Sequence, residues 1–231
     1  TLFKTPYFGE DAYLSQSGQL YMEAACEAFG RAYCFGPTFR AENSNTRRHL
    51  TEFWMVEPEV AYMDLEGDME LAEGLVQAIV RRVLEKCSSQ LKILERDTKP
   101  LEAVINGAFP RISYTEAVEI IREAGVDFNW GDDFGGTDET IVGSKFNQPV
   151  IVYGYPKEIK PFYMKTDSEN PKIVRNMDIL APEGYGEIIG GGQREEDYQT
   201  LVNAIQEQGL KPENYKWYTD LRKYGSVPHA G

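Results

Sequence analysis

Residues 32–63 read AYCFGPTFRAENSNTRRHLTEFWMVEPEVAYM, and their pattern decides the fold. Two alternating runs flank a polar connection rich in Asn, Ser, Thr and Arg, which predicts a long antiparallel hairpin. Alternate side chains of a strand share a face. On the first arm Ala32, Cys34, Gly36, Thr38 and Arg40 lie together, opposite Tyr33, Phe35, Pro37 and Phe39. On the second, Phe53, Met55, Glu57 and Glu59 oppose Trp54, Val56, Pro58 and Val60. The bulky face is expected in the core and the small face open, with Arg40, Phe53 and Glu57 on it. Four residues at roughly 3.4 Å each put Glu57 about 13 Å from Phe53. That is the span from a nucleotide base, past its α-phosphate, to a small group attached there. An aromatic suits a base, a guanidinium a phosphate, and a carboxylate a cationic or amide group. The spacing equally permits a solvated hairpin tip, with Arg40, Arg47, Arg48 and His49 facing water and Phe53 capping the core.

Bulk properties narrow the field around this hairpin. A chain of 231 residues with 42% hydrophobic content reads as globular. No long uncharged apolar run is present, so no membrane span is expected, and the start TLFKTPYFGE lacks the features of a secretory signal. A net charge of −13 argues against broad attraction to nucleic acid but allows a local cationic pocket for a small polyanion. Cys26, Cys34 and Cys87 lack metal-type spacing and are odd in number, as suits thiols in a reducing cytoplasm.

Outward from the hairpin, QSGQLYMEAACEAFG predicts a helix with Ser17 as N-cap and Gly30 as stop. From about Asp64 to Gln90, Leu71, Leu75, Val76, Ile79, Val80, Val83 and Leu84 recur at helical spacing, predicting the longest helix, laid on the sheet. SYTEAVEIIREAG, EEDYQTLVNAIQEQG and PENYKWYTDLRKYG predict three more helices, and QPVIVYGYP, NMDILAP and GEIIGGG predict strands. The fold class expected is α+β, a mostly antiparallel sheet flanked by helices, in a single domain over 1–231.

NMDILAPEGYGEIIGGGQRE is the second dense stretch. Asp178 and Glu187 are hard oxygen ligands on neighbouring strands, suited to Mg²⁺ held jointly with phosphates. Gly190 to Gly192 allow a ligand close to the backbone, and Arg194 is a possible clamp for a carboxylate or amide. Glu187 and Arg194 are seven apart, so serving one pocket would require a bulge or bend in the glycines. A glycine-weakened edge strand with scattered charge is the plainer account of this segment.

Together these stretches resemble the class II aminoacyl-tRNA synthetases of the aspartate, asparagine and lysine subgroup. FRAENSNTRRHLTEF looks like that class's second signature motif, the fRxE…F hairpin, while QSGQLYMEA and GEIIGGGQR are similar to the subgroup's amino-acid-binding segments. Within the subgroup the likeness is to the asparaginyl enzymes. Where aspartyl enzymes carry a lysine that pairs with the substrate carboxylate, this chain has Met22, and EFWMVEPE places Glu57 to accept from an amide. A lost cation and a retained carboxylate disfavour aspartate.

The resemblance implies asparagine–tRNA ligase activity, with ATP and asparagine forming an adenylate and tRNA(Asn) accepting the asparaginyl group at its 3′ hydroxyl. It implies Arg40 at the α-phosphate, Glu42 at the adenine amino group, Arg48 and His49 toward the γ-phosphate, and Phe53 stacked on adenine. Asp178 and Glu187 would serve Mg²⁺ and ATP, Gln19 and Glu57 the amino acid, and Arg194 the substrate's side-chain oxygen. Arg40 and Glu187 would be the catalytic pair. It further implies a cytoplasmic homodimer and a partial catalytic domain, without the anticodon-binding domain or the first and third signature motifs. Two alternatives stay open: a synthetase-derived asparagine synthetase, against which Met22 counts, and a non-catalytic binding paralogue.

Overall fold

The computed structural model describes residues 2–43 and 48–231, so Arg47 lies outside the described residues. In chain order come β1 (Lys4–Tyr7), β2 (Glu10–Tyr13), α1 (Gln19–Phe29), β3 (Arg31–Phe39) and β4 (Glu52–Ala61). They are followed by α2 (Leu65–Lys86), α3 (Ser88–Ile93), α4 (Lys99–Asn106), β5 (Arg111–Ser113), α5 (Tyr114–Glu123) and α6 (Gly136–Gly143). The remainder is β6 (Val150–Tyr153), β7 (Asn176–Ala181), β8 (Gly186–Gly192), α7 (Tyr198–Glu207), α8 (Lys216–Tyr224) and β9 (His229–Ala230). These fall into two units, Thr1–Tyr62 with Glu196–Gly231, and Met63–Glu195. Among the described residues no helix is long and apolar enough to cross a membrane.

In the first unit the expected hairpin forms. β3 and β4 pair antiparallel from Arg31 opposite Val60 to Phe39 opposite Glu52, and β9 adds to the far edge of β4. The faces, however, are reversed. Tyr33, Phe35 and Trp54 are exposed in this chain, at 71%, 59% and 62%, whereas Thr38 and Glu59 on the other face are buried. The reason is steric. Ala32, Cys34 and Gly36 are small, so α1 and the segment before it can approach that face closely. A Cβ on Gly18 would stand 2.6 Å from Cys34 Sγ. Phe35 and Trp54 instead lean on one another, with ring centroids 5.1 Å apart.

Helix α1 starts one residue later than its Ser17 cap would place it. Gly18 is the N-cap, and the Ser17 hydroxyl accepts from the Gln19 N–H at 3.0 Å. Gly30, at φ +78°, ends the helix in a conformation that favours glycine.

The second unit is built on a four-stranded sheet in the order β5-β6-β7-β8, antiparallel except for the β5–β6 pair. Strand periodicity sends alternate residues to two cores. Val150, Val152 and Leu180 pack on Tyr114, Ala117, Val118 and Ile121 of α5 and Val142 of α6. Ile151, Met177 and Ile179 pack on Leu65, Met69 and Ala72 of α2 and Val104 of α4. Each fully buried aliphatic side chain here stabilises the fold by about 1.5–3 kcal/mol.

Helix α2 is the longest, as its periodicity predicts, with the Asp64 side chain accepting from Gly67 N–H at its start. Its buried stripe runs through Leu65, Met69 and Ala72, joined by Val76 and Val80, while Ile79 is exposed. It stops at Lys86, and Ser88–Ile93 forms a separate helix. Helix α5 opens on a reciprocal cap between Ser113 and Glu116, which satisfies two first-turn donors.

Candidate active site

The small-residue face of the hairpin, the one that α1 approaches, is organised around Glu57. Its carboxylate takes the Ser17 hydroxyl, the Gly18 N–H at 2.9 Å and the Cys34 thiol at 3.3 Å. All three donors are neutral. Burial and the neighbouring Glu57 push the Cys34 thiol up to about 11, so it stays protonated and donates. A carboxylate offers about four acceptor sites. Three are taken by the chain, and the acid is fixed in place with capacity for a further donor. Gly18 is required at this spot, since a Cβ there would also come within 3.3 Å of Glu57 Oε2.

Register puts Phe53 opposite Thr38 and Glu57 opposite Cys34, on the same face of the ladder. Arg40 continues the hairpin through a hydrogen bond from its N–H to Thr51 O at 3.0 Å. Its guanidinium lies 5.3 Å from the Phe53 ring centroid and 4.0 Å from Met55 Sδ. Arg40, Phe53 and Glu57 therefore share one face, as the alternation predicts. Glu42, Arg48 and His49 stand exposed on the connection between β3 and β4. Gln19, in the first turn of α1, directs its side-chain N–H to Glu23 Oε1 at 3.2 Å.

In the second unit Asp178 and Glu187 do meet, through a bulge in β8. Ile189 pairs with Ile179, but the next pair is Glu187 with Leu180, so Ile188 is an extra residue. The bulge thus precedes Gly190 to Gly192. In an unbroken ladder Glu187 would share the face of Ile179; one added residue turns it toward Asp178. Gly190 lies between the two acids: a Cβ there would stand 3.0 Å from Glu187 Oε1 and 3.4 Å from Asp178 Oδ1.

Lys160 Nζ donates to Asp178 Oδ2 at 2.7 Å and lies 4.0 Å from the Tyr155 ring centroid. Burial raises the Asp178 carboxyl above its ordinary range, with Lys160 and the Tyr155 hydroxyl pulling it back. Desolvation by the surrounding protein, followed by the Asp178 charge, pushes Glu187 up to about 7, although the residue keeps contact with solvent. Two acids that resist ionisation side by side suit a cation. Among the described residues no three His, Cys, Asp or Glu are arranged to hold a metal, and Lys160 already holds one oxygen of Asp178. The donor set therefore fits an Mg²⁺ only if other oxygens, such as phosphate, complete its shell.

Arg194 is buried, its guanidinium 5.5 Å from the Tyr163 ring centroid and 3.9 Å from Met164 Sδ. Its charge also bears on Asp68 of α2. Burial pushes that carboxyl up to about 6, against the pull of Arg194 and the Gly192 N–H.

Sequence patterns did not single out Lys160, Tyr155 or Asp68. Lys160 lies 18 positions before its partner in an irregular segment, and no periodicity connects the two. Beyond accepting from Gln19 at the start of α1, the Ser17 hydroxyl also donates to Glu57, a use that its sequence position does not reveal. Glu23 had a usable signal: it follows Gln19 by four on a helix, which places the two on one face.

Comparison with known proteins adds three findings. The family model for tRNA synthetases class II (D, K and N) matches residues 1–231. The asparagine–tRNA ligase of Sorangium cellulosum is 58% identical over 243 residues, and that of Desulforamulus reducens 57% over 231. Each alignment takes in 100% of this chain and 54% of the relative, so the chain spans about half the length of the curated relatives it matches. The asparaginyl-tRNA synthetase of Pyrococcus horikoshii, solved with asparaginyl-adenylate, superimposes with a TM-score of 0.97 at 52% identity. That match covers 100% of this chain and 53% of the other.

Proposed function

Because the chain belongs to the class II tRNA synthetases of the D, K and N group, we propose that the protein containing it is an asparagine–tRNA ligase and that residues 1–231 form part of its catalytic domain. The observation that carries the choice of amino acid is the setting of Glu57, a carboxylate held by three neutral donors on the hairpin face beside α1. An acid so fixed accepts from the amide nitrogen of asparagine and repels the carboxylate of aspartate. Met22, beside Gln19 on α1, brings no cation that would reverse this preference.

In this reading adenine stacks on Phe53 and its amino group donates to Glu42. Arg40 meets the α-phosphate, and Arg48 and His49 reach toward the γ-phosphate. Gln19 and Glu57 hold the amino acid, and Arg194 takes its side-chain oxygen. One carboxylate oxygen of asparagine bonds to the α-phosphorus as the bond to pyrophosphate breaks, giving asparaginyl-adenylate. The 3′ hydroxyl of the terminal tRNA ribose then attacks the adenylate carbonyl, its proton is lost, and AMP leaves. No protein nucleophile takes part. Catalysis lies in alignment and in Arg40 meeting the negative charge that grows on the phosphate oxygens. Asp178 and Glu187 would hold Mg²⁺ together with phosphate oxygens, and the ion would supply charge neutralisation there. The family resemblance further supports a cytoplasmic homodimer for the whole protein.

ATP–pyrophosphate exchange by the full-length protein tests the proposal. Exchange that depends on asparagine and ignores aspartate is expected. Exchange with aspartate alone would point to an asparagine synthetase, and silence with both to a binding paralogue.

A further inference from the structure

Glu23 is fully buried on α1, although nothing in the proposed chemistry requires a charge there. Its two oxygens accept from the Tyr218 hydroxyl at 2.9 and 2.7 Å. It also takes a hydrogen bond from Arg222 Nη2 and lies 3.1 Å from His229 Nε2. Arg222 is buried as well, packed 4.3 Å from the Tyr218 ring centroid, and His229 Nδ1 is 2.8 Å from Val227 O. Three side chains from α8 and β9 thus fix one carboxylate on α1. Ions in such a place are costly unless fully paired, and apolar residues of equal volume would pack as well. The charge therefore calls for a use beyond packing.

Gln19 Nε2 donates to Glu23 Oε1 at 3.2 Å. An ionised carboxylate can only accept, so the Gln19 amide must turn its NH₂ inward and its carbonyl oxygen away from Glu23. The chemistry of the partner fixes which way round the amide lies. Gln19 is half-buried and next in sequence to Gly18, whose N–H holds Glu57. With Glu57 taking the amide nitrogen of asparagine, the remaining strong donor on that substrate is its α-ammonium.

We propose that Glu23 is a positioning residue that locks the Gln19 amide, so that its carbonyl oxygen accepts from the α-ammonium of the amino-acid substrate. This rests on the functional reading above. Tyr218, Arg222 and His229 act at one further remove by denying Glu23 any other rotamer. An unlocked Gln19 would offer its NH₂ to the ammonium part of the time, which repels the substrate.

The test compares wild-type full-length protein with Glu23→Gln in ATP–pyrophosphate exchange, alongside inhibition by succinamate, which is asparagine without its amino group. Losing one charge-assisted hydrogen bond raises the KM for asparagine about tenfold or more, with kcat and the KM for ATP within about twofold. The Ki of succinamate stays within about twofold, because it lacks the group that Gln19 grips. A folded Glu23→Gln with an unchanged KM for asparagine overturns the proposal. So does succinamate binding that weakens as much as asparagine binding, which would mark a purely structural role. Where Glu23→Gln does not fold, Glu23→Asp is read by the same criteria, since it keeps a charge opposite Arg222 while withdrawing it from Gln19. A wild-type protein inert toward asparagine removes the functional reading itself, and this inference with it.

Discussion

Replacing Glu57 by glutamine isolates the charge that separates asparagine from aspartate. The cost to the fold is small. The new amide keeps one oxygen for the Gly18 N–H and the Cys34 thiol, and turns its NH₂ to Ser17, whose hydroxyl can rotate to accept. That exchange is worth about 1 kcal/mol. Selectivity changes more. An aspartate carboxylate placed about 4 Å from Glu57 meets a repulsion of about 4 kcal/mol at an effective dielectric of 20. Glu57 is only half-buried, so solvent reduces this to about 2–3 kcal/mol. At 1.4 kcal/mol per decade, Glu57→Gln should shift the asparagine-to-aspartate ratio of kcat/KM by about 30- to 100-fold toward aspartate. The ratio is read from ATP–pyrophosphate exchange with each amino acid over a substrate range. A ratio that moves less than about threefold, in a protein of unchanged fold, would refute Glu57 as the discriminating charge.

Gly192→Ala places a Cβ 2.8 Å from Arg175 O, 2.9 Å from Asn176 Cα and 2.9 Å from Met164 Sδ. Two of these are backbone atoms that cannot swing away, so a loss of about 1–3 kcal/mol is expected as a lowered urea midpoint of the full-length protein. Lys160→Met removes the cation from buried Asp178 and should destabilise by about 3–5 kcal/mol, seen in the same titration; an unchanged midpoint would contradict the pairing. Asp68 holds its proton in the folded state up to about pH 6, against an ordinary value of 3.8. Its folded pKa is raised, so its favourable contribution is full below pH 3.8 and is lost as pH rises through 6. Asp68→Asn should therefore gain on wild type by about 3 kcal/mol between pH 4 and 7 in denaturant titrations, and a flat difference would sink this assignment.

The hairpin and the shared face of Arg40, Phe53 and Glu57 were legible because strand alternation is a local property of the chain. Which face would be covered was not. Burial depends on what packs above the sheet, and the aromatic residues that suggest a core lie open here, while Cys34 and Gly36 admit a helix. Asp178 and Glu187 were readable as a pair, but the residue that turns one toward the other was not, because Ile188 looks like any strand residue. Lys160 escaped for a similar reason: it reaches Asp178 from an irregular segment whose path has no periodicity to read. Glu23 could have been found from its helical spacing to Gln19. Its burial could not, since the three side chains that surround it come from 195 to 206 positions away in the chain.

The extra residue in β8 makes the carboxylate site sensitive to counting as well as to chemistry. Shortening the strand by one position there would leave every acid and base in the polypeptide and still rotate Glu187 half a turn from Asp178. Two homologues could then agree at each charged position of an alignment while only one retains a cation-ready pair. In this segment a one-column gap carries more meaning than most substitutions beside it.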